Sequence, residues 1–195
     1  MAMTDEALMQ AVQRGDLGKL GLLFDRHHRA LFDFLARMTG SRAMAEDLVQ
    51  DVFERVLKYR ATWRGSSSFT GWLFRIARNA RADYYRRRLM TSSYDDSMDS
   101  PDPAPTPEMN LADESEAARL QHCLMRLRED KRELIVLARY REMKYDAIAE
   151  LLGVDEATIK VRVHRALKDL RNIYLAMETR LPCDVKTSPN GFPTI

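Results

Sequence analysis

The sequence holds little that would cross-link it, coordinate a metal or embed it in a membrane. Its 195 residues contain two cysteines, Cys123 and Cys183, far apart and outside any CxxC or Cys/His spacing. Neither a disulfide framework nor a zinc site is supported. No apolar run approaches the roughly 18 residues a membrane span needs. The opening MAMTDEALMQ lacks the basic flank and apolar centre of a secretory signal. The expectation is a cytoplasmic protein with no membrane insertion. No segment alternates apolar and polar residues as a half-buried strand does, so an all-α fold is expected. Catalytic ingredients are equally scarce. Asp47 and Asp51 stand one helical turn apart without a third acid or a histidine to complete a metal pair. His27 and His28 lack further ligands at metal spacing; one is expected to pack and the other to be solvated. No enzyme, metal or cofactor is expected.

What is present is charge, unevenly spread. The net charge is only +2, yet Tyr94 to Glu116 (YDDSMDSPDPAPTPEMNLADESE) carries eight acids and no Lys or Arg. Pro101, Pro103, Pro105 and Pro107 alternate inside it. Proline removes backbone donors and biases its predecessor away from helix, so the segment reads as an extended linker between two helical modules. Its acids keep it solvated or shield a basic surface; both readings stay open. Before it, Leu20, Leu23, Phe24, Leu31, Leu35 and Met38 mark one buried helix face, with Gly40 as a stop and Ser41 as the next cap.

Near the C-terminus, Lys144 to Arg171 splits into two helices about Gly153. Gly153 permits a left-handed turn, and Asp155 is placed to cap the second helix through the N–H of Ala157 or Thr158. Ile159, Val163, Ala166, Leu167 and Leu170 face inward. The opposite face carries Ala157, Val161, His164, Arg165 and Lys168, flanked by Thr158, Lys160 and Arg162. Small apolar groups among cations suit a major groove, where they meet thymine methyls while arginine reads guanine. A basic hairpin packing on another protein is the plainer alternative.

In the N-terminal module, Ala45 to Arg60 is amphipathic with an acidic stripe of Asp47, Gln50, Asp51 and Glu54. Leu48, Val52, Val56 and Tyr59 form its buried face. Val49, Phe53 and Leu57 lie outside that face, which suggests a docking surface for a basic protein partner. The stretch FTGWLFRIARNARADYYRRR, Phe69 to Arg88, turns Phe69, Leu73, Ile76, Ala77 and Ala80 inward. Trp72, Asn79 and Asp83 lie along one flank, and Arg75, Arg78, Arg81, Arg86, Arg87 and Arg88 cover the remainder. The preceding loop adds Trp63 and Arg64. Aromatics beside arginines and one amide offer stacking surfaces, phosphate neutralisation and a group able to read an unpaired base, as single-stranded DNA requires.

These three segments, AEDLVQDVFERVLKY, FTGWLFRIARNARADYYRRR and YDAIAELLGVDEATIKVRVHRALKDLR, in this order and spacing, resemble the group 4, or extracytoplasmic-function (ECF), sigma factors of the sigma-70 family. The resemblance spans Asp5 to Arg171. It implies two small helical domains, a region 2 helical bundle at 1–90 and a region 4 helix-turn-helix at 108–180, joined by the acidic linker at 91–107, with a disordered tail at 181–195. It implies a non-catalytic subunit that directs core RNA polymerase to promoter DNA and assists melting, with an anti-sigma factor as partner. Asp47, Gln50, Asp51, Phe53 and Glu54 would dock on the clamp helices of the polymerase. Trp63, Arg64, Phe69, Trp72, Arg75, Asn79, Asp83 and Arg86 would engage the minus-ten element, Asn79 at the position that reads a flipped base. Thr158, Lys160, Val161, His164, Arg165 and Lys168 would serve the minus-thirty-five element.

Three positions depart from the family. Arg128 stands where proline is frequent, Glu142 to Lys144 (EMK) replaces a small-residue turn, and Val161 replaces a small polar residue. A duplex-only helix-turn-helix regulator is the alternative, but it has no use for Trp63, Trp72, Asn79 or the acidic stripe.

Overall fold

The computed structural model describes residues 3–65, 68–92 and 116–178. The acidic segment from 93 to 115, the C-terminal tail and Cys183 lie outside the described residues. Eight α-helices run through the rest: α1 Asp5–Gln13, α2 Gly18–Thr39, α3 Arg42–Tyr59, α4 Phe69–Ser92, α5 Glu116–Met125, α6 Glu129–Ile135, α7 Tyr145–Leu152 and α8 Glu156–Glu178. A 3₁₀ turn, Arg60–Thr62, follows α3, and a π-helical stretch, Val136–Tyr140, continues α6. No strand occurs among the described residues.

Local chemistry sets the helix ends. The Thr4 hydroxyl accepts the Ala7 N–H at 3.2 Å to start α1. Gly40 takes the left-handed conformation at φ 73° and its N–H closes α2 on Ala36 O at 2.8 Å. A side chain there would lie 3.1 Å from Met125 Cε of α5, so the turn also allows a close approach. The Ser41 hydroxyl then caps α3 through the Met44 N–H at 3.3 Å. Both devices were legible in the sequence.

Helices α1 to α4 pack around Leu8, Leu31, Phe34, Leu35, Leu48, Val52 and Leu73, each at most 1 % exposed. Burial of side chains this size contributes about 1.5–3 kcal/mol apiece. Phe34 and Phe74 meet edge to face, 5.2 Å between ring centres. Phe24 and Tyr59, read as core, are 38 % and 43 % exposed. Both sit at the margin of an otherwise correct stripe, where the 3.6-residue period drifts off the contact line.

The sequence reading separates two modules by a tether; in the structure the halves share one apolar core. Leu134, Val136, Leu137, Ile148, Ala149 and Leu151 join the cluster built by α1–α4. α7 lies against α4, while α5 and the π-helical stretch lie against α2. Arg132 of α6 ties the seam. It donates to Leu124 O, Met125 O and Leu127 O at 2.8–3.0 Å, and across to Met38 O of α2 at 2.8 Å. Five donors in a planar fork let one side chain satisfy the carbonyl ends of two helices. Burial holds the basicity of Arg132 below its ordinary value, with Arg81 acting in the same direction. The Arg37 guanidinium rests 3.7 Å above the Tyr140 ring.

The EMK turn explains its own oddity. Glu142 takes φ 52°, the left-handed region, and the Met143 N–H reaches Leu137 O at 3.1 Å. A side chain in that region costs about 1–2 kcal/mol, which glycine avoids at some entropic cost. Glu142→Gly is therefore expected to raise stability by about 0.5–1 kcal/mol in denaturant unfolding.

At the other end, Asp5 anchors α1 to α2 by accepting from Arg26 Nη1 at 2.7 Å and meeting His27 Nε2 at 2.7 Å. Burial alone would raise its carboxyl, but the hydrogen bonds from Arg26 and His27 outweigh it and hold the group below its ordinary value. A carboxyl depressed by folding adds stability above its unfolded value near 3.9, and that contribution fades as pH falls through the folded value. The gap in melting temperature between the wild-type chain and Asp5→Asn is accordingly expected to be full at pH 7 and to shrink below about pH 4.

Candidate nucleic-acid interface

α7 and α8 form the helix-turn-helix. Gly153 turns left-handed at φ 68°, its N–H on Ala149 O. Asp155 then accepts the Thr158 N–H at 2.7 Å and the Thr158 hydroxyl at 2.6 Å. These bonds, the hydroxyl first, depress the Asp155 carboxyl and keep the cap ionised. Ile159, Val163 and Ala166 are buried, as the sequence reading expected. Lys160, Val161, His164, Arg165 and Lys168 share the exposed face, Val161 at 49 %. Lys160 is steadied by Glu156 at 2.8 Å, which raises its basicity. Thr158 is half-buried, its hydroxyl committed to Asp155, so its part on this face is to set the first turn of α8.

The second candidate surface belongs to α4 and the loop before it. Asn79 and Arg75 are exposed, and Trp72 is half-buried where α4 meets α7. A cleft of about 150 Å³ opens there between Thr70, Trp72 and Arg75 on one side and Met143, Glu150 and Leu151 on the other. Trp63, read as a loop aromatic facing a base, is 2 % exposed; Phe69, read as turned inward and named a minus-ten contact only by the resemblance, is 0 % exposed. They pack in the core, and in this arrangement neither ring has a face for a nucleotide. Arg64 is exposed. What secures the loop is α1, which the sequence reading missed. Gln13 Nε2 donates to Arg60 O at 2.7 Å and Trp63 O at 2.9 Å, and Glu6 accepts the Phe69 N–H at 3.3 Å. Contacts some fifty residues apart leave no periodic signal to find them by.

The α4 arginines divide between two tasks. Arg78 Nε donates to Glu133 at 2.7 Å, and Arg81, 5 % exposed, pairs with Glu129. Both carboxylates come from α6. Arg86, Arg87 and Arg88 stay exposed beyond them.

On α3, Asp47, Gln50 and Glu54 face solvent. Asp51 turns inward to Arg55 Nε at 2.8 Å. Phe53 is 7 % exposed beneath Phe24, their rings edge to face at 4.9 Å, and Val49 is 6 % exposed. The surplus apolar residues of α3 are thus largely explained by α2, whose Leu22 and Phe24 remain 45 % and 38 % exposed. Among the described residues no group of three His, Cys, Asp or Glu is arranged to hold a metal ion, and no helix is long and apolar enough to cross a membrane.

A capped helix-turn-helix with an open basic reading face, packed on a bundle with an arginine-rich helix, defines a DNA-binding protein of the all-helical class. Comparison with known proteins supplies the family. Sigma-70 region 2 matches residues 23–89, and Sigma-70, region 4 matches residues 117–170. The chain is 32 % identical to the RNA polymerase sigma factor CarQ of Myxococcus xanthus, over 80 % of this chain and 89 % of CarQ. It is 31 % identical to the ECF RNA polymerase sigma factor SigX of Bacillus subtilis, over 77 % and 80 %. The solved structure of CnrH with the cytosolic domain of CnrY superposes at a TM-score of 0.67 with 27 % identity, covering 88 % of this chain and 97 % of CnrH. The sigma factor RpoE of Bartonella quintana, solved with the anti-sigma factor NepR, gives 0.61 and 26 %, covering 78 % and 94 %. The chain belongs to the sigma-70 family, in its ECF group of RNA polymerase sigma factors.

Reversing the α6 charges tests the seam. With Glu129→Lys and Glu133→Lys, Arg78 and Arg81 face like charges, and the free protein is expected to show a larger radius of gyration by small-angle scattering at unchanged helicity. An unchanged radius would mean that apolar contact and Arg132 alone hold the halves together.

Proposed function

We propose that this chain initiates transcription by dividing promoter recognition between its two halves, as a non-catalytic subunit acting in the cytoplasm. Asp47, Gln50 and Glu54 of α3 offer an acidic stripe to core polymerase, with Asp51 and Phe53 setting the shape of that surface from beneath. Arg64, Trp72, Arg75, Asn79 and Arg86 take the minus-ten element as it opens, with the Asp83 carboxylate held beside them by Arg55. Trp63 and Phe69 frame the loop. Lys160, Val161, His164, Arg165 and Lys168 enter the major groove of the minus-thirty-five element, with Thr158 at the helix start. For this division we take domain limits of 1–90 and 108–180; α4 runs to Ser92 and α5 begins at Glu116.

The observation that carries the reading is one chain bearing two different open surfaces. On α8 an exposed Val161 lies among cations, which suits base edges in an intact duplex. On α4 an exposed amide stands beside arginines, which suits an unpaired base and its phosphates. A duplex-only regulator leaves the second surface without work. Because CnrH and RpoE were solved with CnrY and NepR, an anti-sigma factor is the regulatory partner we infer.

Core polymerase reconstituted with the purified chain is expected to start transcripts at specific sites, mapped by their 5′ ends; no transcript above core alone would overturn the reading. At the upstream element mapped in this way, Arg165→Ala should cost about 1–3 kcal/mol of binding at the cognate sequence and little elsewhere. Equal loss on every duplex would reassign Arg165 to a phosphate.

A further inference from the structure

Asp51 and Asp83 were both read as contacts for partners, yet both carboxylates are engaged within the chain by one side chain. Arg55 of α3 donates Nε to Asp51 Oδ1 at 2.8 Å and Nη1 to Asp83 Oδ2 at 2.6 Å. Asp83 accepts a second bond from Arg86 on its other oxygen, and Arg87 Nη2 stands 3.7 Å from Asp51 Oδ2. The charges alternate along the row Arg87, Asp51, Arg55, Asp83, Arg86, which starts on α4, passes through α3 and returns to α4. Its middle and ends differ in exposure. The Arg55 side chain is 18 % exposed, those of Arg86 and Arg87 73 % and 66 %. Arg55 is therefore enclosed, while the arginines at the ends of the row are open to a phosphate backbone.

The geometry is particular to arginine. A planar fork grips two carboxylates on different helices at once, where an ammonium is a single point of charge. Arg55 is more basic than an ordinary arginine because of these bonds, that to Asp51 first, so it stays charged throughout. Asp83 lies four residues after Asn79 and three before Arg86, so the three share one flank of α4. A reading group has to be held within a fraction of an ångström by its supporting residues.

We propose that Arg55 is a positioning residue for strand capture: by gripping Asp83 from α3 it sets the rotation of α4, and so presents Asn79 and Arg86 together beside the helix that carries the polymerase-docking stripe. The proposal rests on the reading of α4 as the strand-capturing helix. Through Asp51, the same guanidinium joins that stripe to the DNA-facing flank.

The test uses the full chain assembled with core polymerase, on its mapped promoter as closed duplex and on the same promoter with the minus-ten segment already separated. Arg55→Lys and Arg55→Gln are expected to slow opening of the duplex roughly tenfold, the loss of one or two charge-assisted bonds. Capture of the pre-separated strand should weaken by a similar factor, while affinity for the closed duplex, made through α8, stays within about twofold of the unaltered chain. Asp83→Asn should mimic Arg55→Gln, and the double variant should be no slower than either alone. Wild-type opening by both Arg55 variants overturns the proposal. So does an equal loss in binding the closed duplex, which marks a general loss of stability. Asn79→Ala distinguishes the premise: normal opening by Asn79→Ala overturns the reading of α4 itself, whereas slow opening by Asn79→Ala beside normal Arg55 variants removes only the role of Arg55.

Discussion

The meeting of Arg78 and Arg81 with Glu133 and Glu129 governs how the two halves of this protein relate. Arg81 is 5 % exposed and its Nε has no hydrogen-bond partner. A guanidinium in that position is incompletely satisfied, and its partner Glu129 is 66 % exposed, so the pair adds little net stability: desolvation of the arginine offsets a solvent-screened attraction. The holding force lies elsewhere, in the continuous apolar cluster from Leu31 to Leu151 and in the four carbonyl bonds of Arg132. What the ion pairs supply is register. Sliding α6 along α4 by one turn, the spacing of Glu129 and Glu133, would leave one of the two arginines without its carboxylate, a cost that disfavours that alternative.

Much of this was legible in the sequence. The stops and caps at Gly40, Ser41, Gly153 and Asp155 depend on residues within three or four positions of one another, and each reads correctly. The exposed cationic face of α8 is likewise a local pattern, three- and four-residue steps of cations around Val161. The misreadings share one cause. Trp63 and Phe53 look like interface aromatics because their coverings, α1 and Phe24 of α2, come from far along the chain. Arg78 and Arg81 look like phosphate contacts because no acid stands three or four residues from either in α4; Glu133 and Glu129 lie 55 and 48 residues on. Periodicity tells which face is apolar but not which neighbour covers it.

α1 shows how a small element can govern a distant site. Nine residues long, it is too short to persist alone. Packed through Leu8, Met9 and Val12, it lends Gln13 to the start of the loop after α3 and Glu6 to the first turn of α4. The Glu6 bond satisfies one of the N–H groups that every helix start leaves open, using a side chain from another helix in place of a local cap. Through these bonds the loop carrying Trp63 is braced from α1 as well as from its own ends, so α1 belongs to the working surface although it offers no contact of its own.

The two candidate DNA surfaces also differ in availability. On α8 the face holding Lys160, Val161, His164 and Arg165 is open with the halves together. On α4 the arginine row is split: Arg78 and Arg81 turn to α6, while Asn79 and Arg86 point away from it on the flank fixed by Arg55. Glutamates in the places of Arg78 and Arg81's phosphate partners compete with DNA for the same guanidiniums, and phosphate contacts carry most of the salt-dependent affinity for nucleic acid. On the function proposed above, a chain with its halves together would meet duplex through α8 at full strength and single strand through α4 at less than its charge would allow. Any partner that separates α6 from α4 returns two positive charges to the strand-facing helix, and the return is largest where the strand is already unpaired and its phosphates lie along the helix.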